Sequence, residues 1–404
     1  MENATAIGEL VSIVFGLISI CLLVPALVIC IQSLTAVFFP DAANRSGRYK
    51  KKKIKKTIII PAHNEEQTIA STLKGLSMQL DEMTHIVVVA DNCGDATAAI
   101  AASHGVEVIE RQDRENRGKG FALDYAINYL KQDPPNVVLI LDADCGLSEG
   151  AVDGLSQVAV NTGRPAQAYY QMKNEEGVTR PGQEVSAFAW LMRGFVRPLG
   201  MAGMNMPCQL YGTGMAFPWE VISKQKLASG DIVEDMKLTV DLIDQGVMPL
   251  FCADWKVSSF FPVTENATYD QRKRWEHGHI ATIIKHGIPA VIRSLVSMSM
   301  QRLMLALDVC VPPLSLYVTI LMLGLLAGVA LTLLLGIGGY GLVVVALSWL
   351  LLLSGLSTAW FRLGRDVLQL STVLGIPRYV LSKFSIYKKY VTDRQKDWNR
   401  TDRG

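Results

Sequence analysis

From Val309 to Trp360 the chain runs for 52 residues without an Asp, Glu, Lys or Arg. Two membrane-crossing helices of roughly 20–25 residues absorb such a stretch; an ordinary soluble core does not. Gly336-Ile-Gly-Gly-Tyr-Gly341 offers the turn between them, and Pro312-Pro313 starts or kinks the first. A second uncharged run, Val11–Ile31, lies near the N-terminus. A secretory signal would need a basic flank, but Glu2 and Glu9 precede this run, so a retained helix is expected within residues 1–40. Pro25 is tolerable inside it.

The flanks set an orientation. Residues 41–56 hold Arg45, Arg48, Lys50–Lys53, Lys55 and Lys56, and positive charge beside a span marks the cytoplasmic side. Such a cluster can also lie against anionic lipid. Arg362, Arg365, Arg378 and the stretch from Lys388 to Arg403 mark residues 363–404 as a basic cytoplasmic tail. The expectation is a multi-pass protein of the inner (plasma) membrane with a cytoplasmic middle domain. Net charge is only +2, which speaks against nucleic acid as a partner. The seven cysteines, at 21, 30, 93, 145, 208, 252 and 310, form no Cys-x-x-Cys and imply reduced thiols.

Between these ends, residues 57–270 alternate strand and helix signals. Strands are expected at Thr57–Pro61, Ile86–Ala90, Val106–Ile109 and Val137–Leu141, with helices at Glu65–Leu76, Ala96–His104 and 118–131. A βαβαβαβ series predicts an α/β domain with a mostly parallel, doubly wound sheet. Residues 271–308 carry Ile280, Ile283, Ile284, Ile288, Val291, Ile292 and Leu295 at near-helical spacing. They read as an interfacial helix, with a plain core helix as the alternative.

Polar groups gather where those strands end, and ligands of open α/β sheets bind beyond the strands' carboxyl ends. Pro61-Ala-His63-Asn-Glu65 follows the first strand and Asp91 the second. Gly118-Lys119-Gly120 opens a helix, where Lys119 can meet a phosphate. The central strand runs straight into Asp142-Ala-Asp144, two hard oxygen ligands suited to Mg²⁺ or Mn²⁺. Alone, each motif also reads as a turn or a cap. His277 and His279, two residues apart, do not have the spacing of a helical metal pair and read as helix or surface residues.

Taken in order, these motifs resemble the family 2 glycosyltransferases of GT-A fold, in particular the membrane-embedded branch of cellulose, hyaluronan and poly-N-acetylglucosamine synthases. The likeness spans roughly residues 55–280. It implies that Pro61, His63, Glu65, Asp91, Lys119 and Asp142 contact the nucleotide and that Asp142 and Asp144 hold the metal. It further implies that Glu234-Asp235 supplies the base, with Asp235 favoured, and that Gln271-x-x-Arg274-Trp275 and Gly212-Thr213-Gly214 serve the diphosphate and acceptor. For Glu234 and Asp235 the bland alternative is favourable charge at a helix N-terminus; for Trp275 it is a membrane-interface anchor.

The implied activity is inverting transfer from a nucleotide diphosphate sugar, a uridine one first, to a growing cell-surface polysaccharide. Val233 stands where many processive relatives carry Thr, and three spans are few for a polymer channel. An oligomer or export partner, or single transfer to a membrane lipid or polyprenyl phosphate, therefore stays open, as does a non-catalytic partner that only binds nucleotide sugar.

Overall fold

The computed structural model describes residues 2–174, 182–262 and 264–393; the end of the basic tail lies outside them. After α1 (Glu2–Phe38) come β1 (Lys56–Ala62), α2 (Ile69–Ser77), β2 (Thr84–Asp91), α3 (Thr97–Ser103), β3 (Glu107–Arg111), α4 (Lys119–Leu130) and β4 (Val137–Ile140). The first helix of this series starts four residues later than the sequence suggests, because Glu65–Thr68 turn instead, tied by the Glu65 carbonyl to Thr68 and Ile69.

β3, β2, β1 and β4 pair in parallel, in that order. All of β4 is buried. Its alternate residues enter different cores, Val137 and Leu139 on one face, Val138 and Ile140 on the other. A strand covered on both sides has to be a continuous apolar run.

The second half of the sheet departs from the parallel expectation. β5 (Gly146–Leu147), α5 (Ala151–Thr162) and β6 (Ala166–Lys173) are followed by β7 (Met215–Pro218), α8 (Trp219–Ile222), α9 (Glu234–Gln245) and β8 (Leu250–Phe260). β7 lies antiparallel to both β4 and β6, β8 runs parallel to β6, and β5 closes the edge antiparallel to β8. The result is a mixed eight-stranded sheet of GT-A type. β6 gives no apolar signature because Gln167 occupies its core. That side chain is fully buried; its carbonyl accepts from the Tyr211 amide at 2.9 Å and its amide donates to the Thr213 carbonyl at 3.0 Å.

Between β6 and β7 stand α6 (Gln183–Leu191), a π-helical turn at Met192–Val196, and α7 (Arg197–Gly203), which packs on α1. Contact is close: a Cβ on Gly200 would lie 2.0 Å from the Gln32 carbonyl oxygen. After β8 come α10 (Glu265–Thr282), α11 (Ile288–Val296), α12 (Met300–Val309), α13 (Leu314–Leu335) and α14 (Gly339–Ala359). Among the described residues, three helices are long and apolar enough to cross a membrane: Ala6–Phe38, Leu314–Leu335 and Gly339–Gly364. Along the junction of α10 and α11, Ile284, Ile288, Ile292 and Leu295 form one stripe, each about half exposed or more. A core helix would have covered that stripe.

A buried polar cluster joins α1 to the rest. Arg197 pairs with Asp308 at 2.6 Å, and the amides of Gln32 and Gln209 each donate to the Asp308 carboxylate at 2.7 Å. Removing one member of a buried pair strands the other charge. Asp308→Ala is expected to cost about 3–5 kcal/mol, read as a fall in Tm of the detergent-solubilised protein; an unchanged Tm would contradict this reading.

The region expected as a plain basic tail is partly structured. α15 (Leu370–Val373) packs on α6, α16 (Ile376–Ser382) on α13, and α17 (Phe384–Thr392) on α10. Lys383 pairs with Glu276, the Ile386 carbonyl meets His277 Nε2 at 2.9 Å, and the Tyr379 hydroxyl meets Ser186 Oγ at 2.9 Å. Both His277 and His279 are buried rather than at the surface, and this strap covers His277.

Candidate active site

One cavity opens at the carboxyl ends of β1, β2 and β4. β1 brings Pro61, His63 and Glu65 to it; β2 brings Asp91; β4 brings Asp142 and Asp144. Gly118 and Lys119 at the start of α4, Gly212 before β7, Glu234 and Asp235 at the start of α9, and Arg274 and Trp275 on α10 complete the ring. Two asparagines shape the rim by adopting left-handed backbone, Asn64 at φ 56° and Asn92 at φ 52°, which their short polar side chains tolerate. The two rim loops are stitched together: Asn64 Oδ1 accepts from the Gly94 amide at 2.7 Å, and Thr97 Oγ1 from the Glu65 amide at 2.7 Å.

The carboxylate oxygens of Asp142 and Asp144 and the Cys145 sulfur lie within 4.8 Å of one another. Burial pushes the Cys145 thiol up to about 12; the two carboxylates beside it supply hard oxygen. Asp144 is oriented by Ser259 Oγ, which donates to it at 2.8 Å. Hard oxygen donors of this kind fit Mg²⁺ or Mn²⁺.

Lys119 does not stand free for a phosphate. It pairs with Asp142, donates to the Gly212 carbonyl at 2.8 Å, and lies 3.6 Å from Glu234. Burial alone would lower its pKa, but Asp142, Glu234 and Asp235 outweigh that and raise it, so the ammonium is fixed. Gly212 has φ +83°, and a Cβ there would sit 3.4 Å from Lys119 Nζ and 3.6 Å from Asp235 Oδ2. Glycine keeps this corner open. Burial raises the pKa of both Glu234 and Asp235. Their surroundings differ: Glu234 shares Lys119, whereas Asp235 feels chiefly Arg193 and Lys119 and accepts from the Met236 amide at 2.8 Å.

Asp91 is paired with Arg111 at 2.7 Å, a partner the sequence did not suggest. Burial raises its pKa against the pull of that guanidinium.

Three expected site residues do not line the cavity. Thr213 is fully buried behind it and holds the Asp142 amide through Oγ1 at 3.0 Å. Gly214 lies in the sheet, its carbonyl accepting from the Ala168 amide at 2.9 Å. Gln271 is buried on α10, out of the lining. Trp275 is not an isolated interfacial anchor: its ring packs on Trp190 with centroids 5.0 Å apart. Trp190, Arg193 and Tyr170 also line the cavity and were missed; Tyr211, which leads into the Gly212-Thr213-Gly214 loop, lines it too. One signal was available, since Arg193 is the lone charge between Val185 and Val196.

A sheet of this order, with paired carboxylates at the end of its fourth strand and an acidic pair facing them, defines a glycosyltransferase of the GT-A class. The model described as "Glycosyl transferase family group 2" matches residues 137–362, just over half of the chain, and "Glycosyl transferase family 2" matches 57–213. The chain belongs to the family 2 glycosyltransferases.

Among curated relatives, an uncharacterized protein of Methanocaldococcus jannaschii is 38% identical over 87 residues, 22% of this chain and 34% of that protein. The low-salt glycan biosynthesis hexosyltransferase Agl6 of Haloferax volcanii is 35% identical over 91 residues, 22% of this chain and 21% of that protein. The chain thus spans about a third and a fifth of their lengths. Among solved structures, the mannosyltransferase PcManGT of Pyrobaculum calidifontis, in complex with GDP-Man and Mn²⁺, shares the fold. Its TM-score is 0.50 at 15% identity, over 92% of this chain and all of that one.

Proposed function

We propose that this chain is an inverting, divalent-cation-dependent glycosyltransferase of the plasma membrane. It moves one hexose from a nucleotide diphosphate sugar, a uridine one first, onto a membrane-borne acceptor at the cytoplasmic face. The observation that carries the reading is the meeting of Asp91, Asp142, Asp144, Asp235 and Arg274 around one cavity.

Asp142 and Asp144 would hold the cation, which supplies positive charge to the departing diphosphate. Arg274, half-buried and within the field of Glu234 and Asp142, offers a planar donor set to the same group. Asp235 takes the proton from the acceptor hydroxyl. That oxygen bonds to the anomeric carbon as the bond to the diphosphate breaks, its electron pair leaving with the nucleotide; attack from the opposite side inverts the centre. Glu234 is the poorer base, because protonating it would break its ion pair with Lys119.

For the acceptor, a membrane lipid is favoured by a second cavity beside the first, apolar and bounded by the long helices. A growing polysaccharide remains the second reading, favoured by the flat Trp190–Trp275 pair at the cavity wall, a surface on which a sugar ring can stack. Radiolabelled donors, GDP-mannose included in the panel, incubated with membranes separate the two. One sugar on an organic-extractable lipid supports the first reading; long products support the second.

The membrane placement has its own check. A reporter fused after Gly404 is expected to read as cytoplasmic; a signal from the far side would break the three-span arrangement.

A further inference from the structure

The second cavity, of about 210 Å³, shares Trp190, Arg193 and Trp275 with the first. Away from that neck its walls are mostly apolar, with Phe188, Leu314, Val318, Leu356, Ile376 and Val380 among them. It lies where α13 and α14 meet the strap of α16. An apolar cavity at this place fits a hydrocarbon chain.

The polar groups on it are mainly cationic. Arg197 is satisfied by Asp308, and Lys383 by Glu276. Arg272 bonds Ser186 and lies over the Tyr379 ring, with no carboxylate in ion-pair reach among the described residues. Arg193 stands at the neck. Among the described residues its guanidinium has no hydrogen-bond or ion-pair partner and is flanked only by the faces of Trp190, at 5.7 Å, and Tyr211, at 5.9 Å. Asp235 pulls on it from beyond ion-pair distance. Half-buried at the neck, this guanidinium borders both cavities with no anion in ion-pair reach among the described residues, and its geometry suits a phosphate. Two buried polar atoms on the wall of the second cavity are unmet among the described residues, Nε2 of His279 and Oε2 of Glu276.

We infer that the acceptor is a phosphate-bearing amphiphile, its chain in the apolar cavity and its phosphate held by Arg193, which presents the accepting hydroxyl to Asp235. This rests on the glycosyltransferase reading of the neighbouring cavity. Arg193 is thereby an acceptor-specificity residue.

The test uses the full chain in neutral detergent, with tetradecyl phosphate and tetradecanol as probes and binding read by native mass spectrometry. Wild type is expected to bind the phosphate about 10- to 100-fold more tightly than the alcohol, the range for one charge-assisted contact. Arg193→Gln should reduce that preference to less than about threefold, and Arg193→Lys should keep part of it. Val318→Trp, which fills the apolar end far from the carboxylates, should weaken both probes and leave binding of Mn²⁺ with uridine diphosphate intact. Equal binding of the two probes by wild type, or an undiminished preference in Arg193→Gln, overturns the inference. Mn²⁺-dependent binding of the nucleotide is measured on the same preparation, so failure of the donor-site reading shows separately as loss of that signal in wild type.

Discussion

Replacing Asp235 by Asn is expected to slow sugar transfer by about 10²–10⁴-fold, the usual contribution of a positioned base. Binding of the nucleotide diphosphate with Mn²⁺ should be retained, because Asp235 faces the acceptor side in this account. The fold should survive. Burial raises the pKa of Asp235, so the folded state disfavours its charged form relative to the unfolded chain. A neutral amide relieves that cost, and Tm should stay level or rise.

The same direction sets the pH profile. A base works deprotonated, so wild-type transfer should fall as pH drops, and the fall should begin above the ordinary aspartate range because the pKa is raised. Glu234→Gln should leave a larger residual rate than Asp235→Asn. Initial rates across pH for wild type and both variants check this; equal rates in wild type and Asp235→Asn would remove the assignment of the base.

Asp144→Ala should abolish metal-dependent donor binding. Asp144 is the cleaner target, since removing Asp142 would also release Lys119 from its ion pair. Two charges on a departing diphosphate left without a cation lose several kcal/mol of stabilisation, so transfer should fall below detection as well. Calorimetric titration with the nucleotide, with and without Mn²⁺, gives the readout. Wild-type binding that is equally tight in chelator would refute the role given to the cation.

The parallel half of the sheet and most of the residues that line the cavity were readable from the sequence because each signal was local. An apolar run ending in Asp142-Ala-Asp144 announces a buried strand and its ligand-bearing end at once. The antiparallel half was not readable. β6 is held by a buried Gln167 that bonds loop backbone, which breaks the strand's apolar pattern, and β7 is four residues long. Thr213 looked like a ligand contact and proves to be a brace for the Asp142 amide, a distinction that only the path of the backbone reveals. Arg111 meets Asp91 only because β3 pairs with β2, 20 positions apart in the chain. The strap over α10 was hidden for another reason: its basic residues read as a topology signal, while the contacts that seat it are single side chains such as Tyr379, Lys383 and Tyr387.

The central claim is that the two carboxylates after β4, the acidic pair at the start of α9 and Arg274 serve one bound donor. Anomalous diffraction at the manganese edge, from crystals grown with Mn²⁺ and uridine diphosphate, tests it most directly. The account predicts a single manganese peak against the carboxylates of Asp142 and Asp144, with the diphosphate between it and Arg274. A manganese peak elsewhere, or nucleotide seated away from this cavity, would contradict it.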